Sequence, residues 1–379
     1  MWRLAFRQLT YDKLRSLLTA LAISCAIAVI LVLRGFEEGL YVQSESVVLN
    51  RGGDLIAAQS GITNFFVVHS SLPQLTRANV EAISGVAEAY PVTGIWIIYG
   101  EAGNKMPLFL MVHDTEGVGG PAHIIKGRYA QDGRDIVVDI GFSKKFNIEP
   151  GDALVISDFE FRVSGITEQD SALFSPLGFV TFDGIIDFFL ESEVVPDIST
   201  FPLLSFLIIK TTPGADPNIV KQAIENAVPE VDVFTPAELA SNDRAVGKEL
   251  FGPIMGMLIS LSYIIGLLVI GLIIYSDVSA RQRSFAVMKA LGFRLFHIAY
   301  SVVAQSFLMV IFAFPFGVLV AKVIAVGIEY NIPVYKVYIF DSVGLSYTLI
   351  GVILITFLGS LMPLRLVAKE DPVSAFSVD

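Results

Sequence analysis

Apolar residues fall into four long, nearly charge-free segments, 17–33, 253–275, 298–326 and 345–361. Each reaches the roughly 17–25 residues that a helix needs to cross a bilayer, and hydrocarbon accepts only helices or closed barrels. The pattern therefore predicts four membrane-spanning helices. Between the first two, the pattern changes to short alternating runs. Strands are predicted at 54–59, 65–68, 96–99 and 108–113, with a capped helix at 76–84. From Asp135 onward the punctuation is clearer: a strand at 136–138, a short helix at 142–146, and a tight turn at Glu149-Pro150-Gly151-Asp152. Paired strands at 154–156 and 159–166 follow that turn. A strand at 206–210, a helix at 217–228 and a strand at 231–234 complete the insert, and a capped helix over 235–252 leads into the second span. This is an α+β insert with no exact repeat, and two small lobes are expected.

The expected organisation is an amphipathic helix at 1–16 on the cytoplasmic side, spans at 17–36, 252–276, 298–326 and 344–363, and an extracytoplasmic domain at 37–251. A cytoplasmic loop occupies 277–297, a short outer loop 327–343 and a cytoplasmic tail 364–379. Within the first segment, Trp2, Phe6 and Leu9 share a helical face, and Arg3, Arg7 and Lys13 are available to lipid headgroups. The N-terminus has a basic head and an apolar run but no small-residue cleavage site, so an uncleaved span is expected.

Composition agrees with a membrane protein. The 379 residues are 54% hydrophobic and 17% charged, with a mean hydropathy of +0.66. Charge then orients the chain. Arg3, Arg7, Lys13 and Arg15 precede the first span against Asp12 alone, and Arg281, Arg283, Lys289 and Arg294 fill the 277–297 loop against Asp277. Basic flanks stay inside, which puts both termini and this loop in the cytoplasm. The insert carries 13 bases and 30 acids, a balance of −17, and offers no basic footprint for nucleic acid.

The basic loop is amphipathic. Phe285, Met288, Ala290 and Leu291 form an apolar stripe at helical spacing, with Arg281, Gln282 and Lys289 off it, and Gly292 closes the helix. A short helix held between two spans can receive a push from a partner; equally, it can lie on an anionic leaflet as a basic surface loop. Two other positions invite function. Arg34 ends the first span beside Glu37 and Glu38, and Gln305 lies at membrane depth in the third, where Pro315 predicts a kink. Helix-end anchoring for Arg34 and helix–helix bonding for Gln305 compete with a role in a substrate path.

Catalytic patterns are absent. His69, His113, His123 and His297 form no metal-ligand spacing, Cys25 lies mid-span, and no GxSxG or GxxxxGK[ST] run occurs. Asp132, Asp135 and Asp139 read as turn and strand-edge residues of an acidic surface. An enzyme is not expected, and any energy input must come from another subunit.

The order of these features resembles the FtsX-like or MacB-type permeases of bacterial ABC systems. The start, LAFRQLTYDKLRSLLTALAIS, is similar to that family's opening, and SARQRSFAVMKALGFRLFHI is similar to its coupling helix. Residues 135–166, through Gly151-Asp152 and Phe161-Arg162-Val163-Ser164-Gly165-Ile166, resemble a recurring block of its outer domain. The tail, Pro363 followed by Asp371-Pro372-Val373-Ser374-Ala375-Phe376, also fits. Ala280 and Ser284 stand where the family usually has glutamates, and Gln305 stands near a common acid. In size the chain looks closest to the DevC and HrtB-type permeases.

The resemblance implies that 37–251 is a MacB-like periplasmic core domain and that the chain is a homodimeric permease in the bacterial inner membrane. It also implies a separate ATPase subunit, which holds ATP and magnesium while this chain holds no cofactor. Arg281, Arg283, Phe285, Met288, Lys289, Leu291 and Gly292 would face that ATPase. Mechanotransmission would export a hydrophobic substrate past Arg34 and Gln305, with an envelope adaptor in DevC-type systems. FtsX proper implies the alternative, a signalling subunit that activates a cell-wall hydrolase without transport.

Overall fold

The computed structural model describes residues 13–65, 70–101, 103–114, 118–168, 171–172, 175–192 and 204–369. Most of the expected 1–16 helix, part of the 65–68 strand and most of the 364–379 tail lie outside these. In chain order the elements are α1 (Lys13–Leu49), β1 (Leu55–Gln59), α2 (Leu75–Glu81), β2 (Val86–Glu101), β3 (Asn104–His113), β4 (Ile124–Gly127), β5 (Asp135–Asp139), α3 (Ile140–Phe146), β6 (Ala153–Ile156), β7 (Phe159–Thr167), β8 (Ser171–Ala172), β9 (Ser175–Thr181) and α4 (Phe182–Glu191). There follow β10 (Phe206–Thr211), α5 (Pro217–Ala227), β11 (Val231–Phe234), α6 (Pro236–Ser279), α7 (Gln282–Ala290), α8 (Leu295–Asn331) and α9 (Ser342–Lys369).

The chain divides into two compact units. One comprises residues 1–38, 252–330 and 337–379; the other comprises 39–251 and 331–336.

The first unit is a helical bundle. Among the described residues, four helices, α1, α6, α8 and α9, are long and apolar enough to cross a membrane. All four continue past their apolar cores. Thus α1 runs on to Leu49 and α6 begins at Pro236. Hydropathy marks where lipid contact ends, whereas a helix ends only where its backbone bonding is interrupted. Ile23, Ile27 and Leu31 of α1 pack with Ile270 and Ile274 of α6, Val302 and Met309 of α8, and Val352 and Ile355 of α9. Gly271 and Gly359 let α6 and α9 approach closely: a Cβ on Gly359 would lie 3.1 Å from the Gly271 Cα. Leu268, Leu272, Ile311, Leu319, Ile350 and Leu354 remain exposed, an arrangement suited to lipid as solvent.

The second unit carries one sheet of eleven strands, ordered β11-β1-β10-β2-β3-β9-β5-β7-β4, with β6 on β7 and β8 on β9. Two separate lobes, the sequence expectation, do not form. Parallel pairing of β3 with β9, Phe109 opposite Leu177, joins the halves through residues far apart in the chain. Such pairing leaves no local pattern. Three apolar clusters cover the sheet, one of them including Val47 and Val48 of α1 and Leu239 and Ala240 of α6.

Local chemistry fixes the helix ends. Asp139 accepts the Gly141 N–H at 2.7 Å and caps α3, and Pro217 opens α5 behind the Asp216 cap. A reciprocal capping box starts α6. Thr235 Oγ1 accepts the Glu238 N–H at 3.2 Å, and Glu238 Oε2 accepts the Thr235 N–H at 2.9 Å.

Asp135 and Asp139 correct the reading of an acidic surface, since both are fully buried. Asp135 lies between Arg128 at 2.6 Å and Arg162 at 2.5 Å. Burial pushes its carboxyl up, but bonds from Arg162, the Gln131 N–H and Arg128 prevail and hold it below the usual carboxylate range. Depression of this kind stabilises the fold above the unfolded value of about 3.9 and is lost as pH falls through the folded pKa. Burial likewise lowers the His113 pKa, aided by the nearby Arg51 charge. Here the unfolded state takes up the proton first, so stability declines as pH drops below about 6.5. Asp135→Asn is expected to cost about 2 kcal/mol, less than a fully buried pair because both arginines are half exposed. Thermal unfolding of the full chain in nanodiscs should show that loss at pH 7, shrinking as the pH approaches 3.

Candidate functional site

The 276–297 loop resolves into a helix with two faces. Helix α6 ends at Ser279, the chain turns through Ala280 and Arg281, and α7 begins at Gln282. At the far end the Phe293 N–H donates to the Met288 carbonyl at 3.1 Å and the Gly292 N–H to the Lys289 carbonyl at 2.9 Å. That pair is a Schellman motif. It places Gly292 at φ +86°, and a Cβ there would meet open space. Backbone conformation, rather than crowding, therefore calls for glycine.

Phe285 is only 3% exposed and packs into the bundle core, and Met288 lies partly buried against the same cluster; Ala286 beside them is also buried. The sequence reading placed Phe285 and Met288 in the partner-facing set, but both point toward the bundle. An apolar stripe on a short helix marks the side that docks on its own protein. Arg283, Val287 and Leu291 are exposed, Leu291 at 72%, and Lys289 is half-buried. Beyond Gly292, Phe293, Leu295 and Phe296 extend this exposed apolar surface. The outward face thus offers a cation and apolar side chains together.

The remaining candidates separate. Arg34 Nη1 donates to Glu37 Oε2 at 3.2 Å, close to the point where the Tyr338 N–H reaches the Gly35 carbonyl at 2.9 Å. Gln305 lies at the loop end of α8, buried, and its Nε2 donates to Asp277 Oδ2 at 2.8 Å. Arg281, expected to face a partner, is also turned inward: its Nη2 donates to Asp277 Oδ1 at 3.1 Å. Asp277 was noted in the sequence only as the one acid of the loop. Its signal was an arginine four residues on, one helical turn away, together with an amide at membrane depth. A groove of about 750 Å³ opens beside it, between Leu14, Leu18 and Ala22 of α1 and Leu272, Ser276 and Asp277 of α6. Among the described residues, no group of three or more His, Cys, Asp or Glu could hold a metal ion.

Two family descriptions together account for most of the chain. The MacB-like periplasmic core domain matches residues 16–227, and the FtsX-like permease C-terminal domain matches 256–372. An uncharacterised ABC transporter permease of Mycobacterium tuberculosis (strain CDC 1551 / Oshkosh) is 23% identical over 374 residues, covering 98% of each chain. Another from Mycobacterium bovis (strain ATCC BAA-935 / AF2122/97) is 23% identical over 375 residues, again covering 98% of each. Among solved structures, the periplasmic region of MacB from Actinobacillus actinomycetemcomitans aligns with a TM-score of 0.37 at 12% identity, covering 52% of this chain and 94% of that one. The extracellular domain of YknZ, a noncanonic ABC-type transporter from Gram-positive bacteria, aligns at 0.35 and 9%, covering 48% and 100%.

Four apolar helices among the described residues, with a large α+β insert after the first, define a multi-pass membrane protein. The chain belongs to the FtsX/MacB-type permeases of ABC transporters. Subunits of this class are not themselves enzymes, and membership implies an ATPase partner.

Truncating the inward anchor should be costly. Phe285→Ala is expected to lower stability by about 3 kcal/mol, whereas Leu291→Ala should change it by less than about 0.5 kcal/mol. Thermal unfolding of the full chain in detergent distinguishes the two.

Proposed function

We propose that the chain is the membrane subunit of an exporter in the bacterial inner membrane, working as a homodimer with two copies of a separate ATPase. In this reading both termini and the 276–297 loop are cytoplasmic, and α7 receives the motion of the ATPase. The carrying observation is the two-sided character of α7: Phe285 holds it to the bundle, while Arg283, Val287 and Leu291 present a basic and apolar face. A docking surface needs a rigid mount and desolvatable contacts, and this helix has both. ATP and magnesium belong to the partner, which alone carries out hydrolysis. Transmission then requires a membrane element with two arrangements that the state of the ATPase biases.

The substrate is proposed to be hydrophobic, taken laterally from surrounding lipid, because the exposed flanks of the bundle are apolar. Arg34, just past the apolar segment of α1, remains the candidate for contact with its polar part. Gln305 is committed to Asp277 and supports helix packing better than substrate contact. An envelope adaptor, as in DevC-type systems, is compatible with the exposed surface of the outer domain. The signalling alternative, activation of a cell-wall hydrolase, uses the same α7 contact and differs only in output.

Arg283→Glu reverses the charge of the outward face without touching Phe285. Co-purification with the cognate ATPase and stimulation of its activity should both fall at least about tenfold, as when close interfacial charge pairs become repulsive. Unchanged association and stimulation would exclude α7 as the docking helix.

A further inference from the structure

We propose that Asp277, Arg281 and Gln305 form a latch that makes the entry to α7 and the α8 span move as one body. Asp277 is then a positioning residue for coupling, and this inference rests on the ATPase-docking reading of α7.

The geometry starts from a weak point. Between α6 and α7 the helix is interrupted at Ala280 and Arg281, and a two-residue break allows the following helix to swing. Arg281 occupies the N-cap position of α7 at φ −111° and ψ 14°, with no side-chain capping bond. Its guanidinium instead reaches back one turn to Asp277 Oδ1 at 3.1 Å. The other carboxylate oxygen accepts from Gln305 Nε2 at 2.8 Å, 28 residues further along the chain. One carboxylate therefore joins the end of α6, the hinge and α8.

Burial makes the join directional. The side chains of Asp277 and Arg281 are 9% and 16% exposed, and Gln305 is 5% exposed. Charge-assisted bonds in such surroundings are short and orientation-dependent, and removing one partner leaves a charge without water to compensate it. Phe285 and Met288 supply a second attachment of α7 to the bundle, but apolar contact can slide and re-form. A push on the exposed face can thus tilt α7 over its apolar seat unless the hinge is fixed. The latch fixes it, and the displacement passes to α8.

The test uses the full-length chain with its cognate ATPase in nanodiscs, comparing Asp277→Asn, Gln305→Glu and the double variant. Gln305→Glu sets two carboxylates face to face. It should reduce stimulated ATPase turnover about tenfold, within the range of ordinary coupling free energies, while co-purification and the KM for ATP stay unchanged. Adding Asp277→Asn restores one carboxylate and one amide with their positions exchanged, and turnover should recover to within about threefold of wild type. Asp277→Asn alone keeps the shape and loses the charge; it should also depress turnover, and it carries the test if Gln305→Glu does not fold. Turnover within twofold of wild type in Asp277→Asn would overturn the latch. So would a double variant no better than Gln305→Glu. Failure of the wild-type chain to bind or stimulate the ATPase would instead overturn the docking reading.

Discussion

Hydrocarbon provides no hydrogen-bond partner, and this constraint organises the chain. It confines the backbone of the apolar segments to helices and favours internal partners for the polar side chains within them, although the buried Thr348 Oγ1 has none among the described residues. Ser24 Oγ donates to the Ala20 carbonyl of its own helix and lies 2.9 Å from the Ala313 carbonyl of α8. Thr356 and Ser306 return to carbonyls one turn back in their own helices. Gln305 has a longer side chain and an amide to satisfy, and it reaches Asp277. The latch is the same rule applied where a helix must end and a charge must be buried.

The loop helix shows how one short element serves two solvents. Its buried side of Phe285 and Met288 is an extension of the bundle core, and its Schellman close at Gly292 stops it after two and a half turns. What remains exposed is selected by helical geometry alone, since residues three and four apart share a face. Arg283, Val287 and Leu291 meet that spacing. A helix free on both sides could not carry force, and one buried on both sides could not meet a partner.

Much of this was legible in the sequence. The four spans follow from hydropathy, the capped start of α6 from the 235–252 pattern, and the loop helix from its stripe and Gly292; the Asp139 and Asp216 caps were not read from the sequence. The family resemblance, carried by the opening, the loop, residues 135–166 and the tail, holds. Errors arose where contact partners are distant in the chain. The single sheet depends on β3 meeting β9, and no window of ten residues contains both. Asp135 reads as surface because two arginines that neutralise it lie at positions 128 and 162. Periodicity revealed the apolar stripe of α7 but not which way it faces; core and partner both accept an apolar stripe. Arg281 was assigned an outward role although Asp277 stands one turn before it, and Gln305 was left between helix–helix bonding and a substrate path because Asp277 lies 28 residues away in the chain.

The central claim is that α7 meets the ATPase with its outward face while its inward face stays in the bundle. Cysteine cross-linking measures this directly, because Cys25 is the only thiol in the chain. In a Cys25→Ser background, a single cysteine is placed at Leu291 or at Phe285, and a short bifunctional thiol reagent is applied to the complex with an ATPase carrying one surface cysteine. Cross-linking from position 291 and none from position 285 is the predicted result. Equal cross-linking from both positions, or from neither, would contradict the account.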